Sequence, residues 1–229
     1  ITDAERAKAS VNALLALLSR PDCRWQAAFA LGVCLPYIAE ENMESARVFM
    51  RRLMWSLNEE SGNLGWGIPE AMGSILANSP ALAREYGRIF LSYGYQTGKD
   101  DNFLDHAPLR RGVYWGIGVL AAASPQIAAP ALPHLVAALK DGDPGICGMA
   151  AWALGQLAAA MPDADFDRPG IARDWRTAAS VLEQELDKRQ VQGQEATEVQ
   201  LFDGERIVSP NLSELLADTL VRVGLRLDV

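Results

Sequence analysis

The chain has 229 residues, enough to bury a sizeable core as one domain or as one elongated array. It is 49% hydrophobic, 22% charged and 7% aromatic, with a net charge of −8 and a pI near 4.8. Counterion release by clustered Lys and Arg drives most nucleic-acid binding, so an acidic chain without a basic run excludes nucleic acid as the expected partner.

Asp3 to Leu18 is the first periodic segment, with Val11, Leu14, Leu15 and Leu18 at helical spacing, and Ser19-Arg20-Pro21-Asp22 ends it. Repetition begins with the next segment. With a glycine as anchor, Gly32, Gly73, Gly118 and Gly155 follow one another at 41, 45 and 37 residues. Leu31, Met72, Ile117 and Leu154 precede the anchors, and Ala27, Ile68, Val113 and Ala150 stand five before them. Pro80, Pro125 and Pro162, seven after the anchor, punctuate three of the four units. This spacing is that of two-helix repeats, whose units stack because none can bury its apolar face alone. First helices are expected over 3–18, 43–57, 80–94 and 126–140, and second helices over 22–38, 66–78, 108–123 and 144–160.

Gly112 to Leu139 lacks any Asp, Glu, Lys or Arg. Pro125, Pro130 and Pro133 cut it into pieces too short to span a bilayer, so the expectation is a buried helical hairpin and no membrane partner. Beyond Pro162, a turn-rich connector (163–170) leads to an amphipathic helix over Trp175 to Gln190, the start of an incomplete fifth unit. A polar linker, 190–195, separates a solenoid of residues 1–190 from a C-terminal segment of 191–229. In that segment Asp203-Gly204 between two apolar runs signals a β-hairpin, and Asn211 with Glu214 forms a capping box opening a last helix that closes the array.

The segment Asp22-Cys23-Arg24-Trp25-Gln26-Ala27-Ala28-Phe29-Ala30-Leu31-Gly32 resembles the second helix of the short bacterial HEAT repeat, D-x-V-R-x-x-A-A-x-A-L-G. Pro133 to Gly155 matches the pattern best. Over Met43 to Gly118 the chain is similar to a bacterial family of the PBS-lyase HEAT-like type that shares L-N-[DE]-E-S-G-x-x-G-W-G-x-P-E-A-M-G, matched by Leu57 through Gly73. The resemblance implies an all-α, right-handed α-α superhelix, an armadillo-like helical solenoid of about four to five hairpins, but no reaction.

In the HEAT pattern, positions seven before, three before and one after the anchor line the concave face and are usually polar. Here they are Trp25, Phe29, Val33; Trp66, Glu70, Ser74; Arg111, Trp115, Val119; and Gly148, Trp152, Gln156. Two readings stay open. Tight curvature, or a tail that folds back, would make these rings core; otherwise they form an aromatic groove that binds a protein or peptide segment, because aromatics and Arg carry much recognition energy. The binding residues of the second reading are Trp25, Phe29, Trp66, Glu70, Arg111, Trp115 and Trp152, together with Glu59, Glu60 and Ser61 in the loop before the second unit's inner helix. Glu70 near a helix start also suits the helix dipole without any ligand. Because HEAT-like folds include bilin lyases and DNA glycosylases, an enzyme or cofactor-handling protein with Glu70 or Glu60 as acid/base is the alternative to a non-catalytic scaffold.

Weaker signals point elsewhere. Cys23, Cys34 and Cys147 give no C-x-x-C pair and no disulfide framework, and no signal-peptide pattern is visible, so a cytoplasmic protein is expected. Cys147 near a helix start is a candidate for a lowered pKa. The loop Lys99 to His106 lacks the Gly and terminal Glu of a calcium site, and His106 and His134 have no zinc-ligand spacing. No phosphate-cradling or dinucleotide motif is present, so neither a metal nor a cofactor is expected.

Overall fold

The computed structural model describes residues 3–58, 65–96, 98, 102–193 and 197–227. A first hairpin pairs α1 (Asp3–Leu17) with α2 (Arg24–Glu41), a second α3 (Met43–Leu57) with α4 (Ile68–Asn78), and a third α5 (Pro80–Ser92) with α6 (Ala107–Ala123). In the fourth, α7 (Pro125–Ala128), a 3-10 turn (Ala129–Ala131) and α8 (Leu132–Ala138) precede α9 (Pro144–Ala160). After α10 (Asp163–Phe166), α11 (Pro169–Gln192) pairs with α12 (Leu212–Leu227). Antiparallel β1 (Leu201–Phe202) and β2 (Ile207–Val208) stand in the connection between these last two helices. The fold is an all-α solenoid with a small β-hairpin.

Local chemistry sets the helix starts. The Asn42, Ser79 and Asp143 side chains accept hydrogen bonds from the backbone N–H groups of Ser45, Leu82 and Ile146, satisfying donors that the first turns of α3, α5 and α9 leave free. Pro80, Pro125, Pro144 and Pro169 occupy first turns, where a missing N–H costs nothing. Prolines also explain a departure from the expected single helix over 126–140. Pro130 and Pro133 remove two i→i−4 donors, and the chain tightens into the 3-10 turn between α7 and α8.

The second helices form a row, α2–α4–α6–α9–α12, each packed on the next. Every anchor glycine sits at one of these contacts. A Cβ on Gly32 would stand 2.1 Å from Ser74 Oγ, one on Gly73 2.3 Å from Gly116 Cα, one on Gly118 2.4 Å from the Trp152 ring, and one on Gly155 3.2 Å from Thr219 Oγ1. The repeated glycine is therefore a spacing device, setting how close neighbouring units lie. Arg24 and Arg110, both eight before an anchor, repeat a second device: each donates to a carbonyl six residues earlier, Leu18 O at 3.2 Å and Leu104 O at 2.9 Å.

At the C-terminal end, α12 takes the place of a fifth inner helix, so the fifth unit has both of its helices. Thr219 Oγ1 donates to Ala151 O at 2.9 Å, and Arg226 donates to Ala158 O and Met161 O, closing the end of α9. Leu212, Leu216 and Val223 join the same continuous core as Leu154 and Leu157. Asn211 N–H donates to Glu214 Oε2 at 3.1 Å, as the capping box requires. Because Phe202 pairs with Ile207, the β-turn spans residues 203–206 rather than Asp203-Gly204 alone, and the Asp203 carboxylate accepts the N–H groups of Glu205 and Arg206.

Candidate ligand groove on the inner face

Trp25 of α2 and Trp115 of α6 come from helices that are not neighbours in the row, yet their ring centroids are 4.9 Å apart, edge to face. Adjacent helix axes lie about 8–10 Å apart, so two side chains meet across an intervening helix only where the row curves toward them. The intervening α4 has short residues at its centre, Gly73 against Gly116 of α6 and Ser74 against Gly32 of α2, so both neighbouring helices lie close to it. The stripe is therefore on the inner side of the curve.

The hairpin fills part of that curve. Phe202 lies 6.0 Å from Trp25, stacked, and 6.2 Å from Phe29, edge-on. Trp115 Nε1–H donates to Phe202 O at 2.8 Å, which satisfies a buried indole donor with a backbone carbonyl. Val199 packs on Gly148, where a Cβ would stand 2.7 Å from its methyl group, so the glycine at that stripe position is a seat for the hairpin. Val199, Leu201 and Phe202 are all buried, while Asp203 to Arg206 stay exposed.

Beside the hairpin a cavity of ≈ 310 Å³ remains open. It is walled by the stripe residues Phe29, Ser74, Trp115, Val119, Trp152 and Gln156, with Phe202 and Asp203 across from them. Trp115 and Trp152 are parallel, with centroids 6.3 Å apart and an interplanar angle of 4°. Phe29 is 43% exposed, so the cavity has an accessible aromatic edge as well as buried ones. A second recess of ≈ 260 Å³ with Val33, Tyr37 and Glu40 continues from it, sharing Asn78.

Other residues expected on this surface lie apart from the cavity. Trp25 is 9% exposed and serves as floor beneath Phe202. Trp66 lies beneath the Arg24 guanidinium, 5.1 Å from it, and edge-on to His106, lining a different recess with Asn12 and Arg52. Arg111 is drawn to the start of α9, where it donates twice to Asp143 and holds that carboxyl below the usual carboxylate range. Glu59, Glu60 and Ser61 lie outside the described residues.

Glu70 is 6% exposed, against Gly112 of α6, and its Oε2 has no hydrogen-bond partner. Burial pushes its pKa up to about 7, against the smaller opposing pulls of its own backbone N–H and the Arg24 charge.

Cys147 corrects an expectation. It is fully buried, and burial raises its thiol pKa despite its place near the start of α9. His134 stacks on Tyr95 at 3.6 Å and has its pKa lowered by burial. Among the described residues no group of three or more His, Cys, Asp or Glu could hold a metal ion, and no helix is long and apolar enough to cross a membrane. What spacing alone could not give was Val199, Phe202 and Asp203 in the site. The hairpin itself was legible, but nothing local says that it folds over the stripe.

A family model described as a HEAT-like repeat matches residues 107–157, from the start of α6 into α9. Over that stretch the chain is similar to a HEAT-like repeat. Among solved structures, that of an engineered protein is similar to this chain with a TM-score of 0.46 and 14% identity, covering 95% of this chain and 97% of that one. No curated protein matches the chain.

Proposed function

We propose that this HEAT-like protein is a non-catalytic scaffold that holds an extended segment of a partner protein in the inner-face groove. One observation carries the reading. The stripe already receives an extended segment of its own chain through contacts that suit any peptide: an indole N–H on a backbone carbonyl, 2.8 Å long, and an aromatic side chain among aromatic walls. The open cavity continues those walls with Phe29, Trp115, Val119 and Trp152, so a partner segment has an apolar floor beside the hairpin. Glu70, the residue best placed in sequence for acid/base chemistry, does not line this cavity.

Ala122 is an exposed cavity-lining residue near the end of α6, so Ala122→Trp plugs the groove without touching the core. Expected on an array of immobilised twelve-residue peptides is retention by the parent protein and its loss in Ala122→Trp, with unchanged helical circular dichroism. Phe29→Ala should weaken retention in the same assay. Retention by the plugged protein would place binding elsewhere.

A further inference from the structure

Charge distinguishes the groove from an ordinary apolar cleft. The main cavity presents four aromatic rings, Phe29, Trp115, Trp152 and Phe202, with one charged residue, the Asp203 carboxylate. The continuing recess adds Tyr37, 48% exposed, and Glu40. Among the described residues, no Lys or Arg lines either of them. Hydrogen bonds from the Arg206 and Glu205 N–H groups keep Asp203 below the usual carboxylate range, and Arg206 Nε is its distant cation at 3.9 Å. Glu40 has no ion pair among the described residues, whereas Glu41 beside it pairs with Lys8 at 2.8 Å. Aromatic faces carry negative quadrupolar potential, so rings and carboxylates act with one sign. Walls of low dielectric focus that field on whatever enters.

We propose that the segment held in the groove is basic: a Lys or Arg side chain enters the cavity between Phe29, Trp115 and Trp152 and faces Asp203, while a second basic residue meets Glu40. This rests on the groove being the binding site. Phe202 and Val199 show which neighbours such a residue has, because aliphatic and aromatic side chains already pack on this stripe. An acidic or phosphorylated segment would meet two carboxylates, with no Lys or Arg among the described lining residues to offset them.

The test uses three sets of twelve-residue peptides with the same alternating Leu and Phe frame, filled with Lys, Gln or Glu, and titrated while tryptophan fluorescence is followed. The Lys set should bind, the Gln set about tenfold more weakly and the Glu set not at all. Glu40→Gln and Asp203→Asn should each weaken the Lys set and leave the Gln set unchanged. Glu40→Gln matters most because that side chain supports no turn. Ala122→Trp does not change net charge, so it separates groove binding from general attraction to an acidic protein.

If Gln and Lys peptides bind equally and both are lost in Ala122→Trp, the groove stands and its preference for a basic segment is overturned. Binding that survives Ala122→Trp, or no binding by any set, overturns both.

Discussion

Replacing Glu70 by Gln removes a buried proton-binding group while keeping its shape, which matters because Gly112 leaves no room for a larger side chain. The folded chain holds the carboxyl at a pKa of about 7, against 4.5 for an ordinary glutamate. At about 1.4 kcal/mol per pKa unit, that difference corresponds to about 3 kcal/mol. The sign follows from which state holds the proton. Between these two values the folded protein binds it and the unfolded chain does not, so stability is full below pH 4.5, falls as pH rises, and stays low above pH 7. Glu70→Gln should abolish this loss. Urea unfolding at closely spaced pH values from acid to mildly alkaline conditions, for both proteins, isolates the effect, since paired carboxylates such as Asp143 titrate alike in each. The gap between the two proteins should widen by about 3 kcal/mol in favour of Gln as pH rises through this window. Parallel curves would refute a buried, unpaired carboxyl at this position.

Gly73→Ala would place a methyl 2.3 Å from a backbone Cα of α6, forcing α4 and α6 apart, and should cost about 2 kcal/mol or more in urea unfolding. Gly142→Ala, with nothing within 4 Å, should be close to neutral in the same measurement. Trp115→Phe keeps the ring but strands the buried Phe202 carbonyl, costing about 1–3 kcal/mol. Its hairpin should loosen, read as faster trypsin cleavage after exposed Arg206. With a thiol-specific chromogenic reagent, partly exposed Cys23 and Cys34 should react in the native protein, and Cys147 only on unfolding.

Much of the array is written locally. Glycine spacing, the prolines and the capping residues Ser79 and Asp143 place the repeat helices, because each acts within a few residues of where it stands. Polar N-caps and prolines need no tertiary context to bias a helix start. The stripe was also legible as a set of positions, and six of its residues do line one cavity. Its environment was not. Trp66, in the turn before α4, and Arg111, in α6, stand at equivalent distances from their anchor glycines yet turn to Arg24 and Asp143, partners supplied by other segments.

Sequence by itself determined the period, most of the helices, the hairpin and the anchors at which neighbouring helices meet. Tertiary structure decided what the stripe faces. Curvature brings Trp25 to Trp115 across α4, and the hairpin, whose placement depends on α12 packing beside α9, covers Trp25 while leaving Phe29, Trp115 and Trp152 around an open cavity. The same packing buries Glu70. Burial, groove and charge balance arise from contacts between segments far apart in the chain, and a pattern of period 3.6 carries no information about which of them will meet.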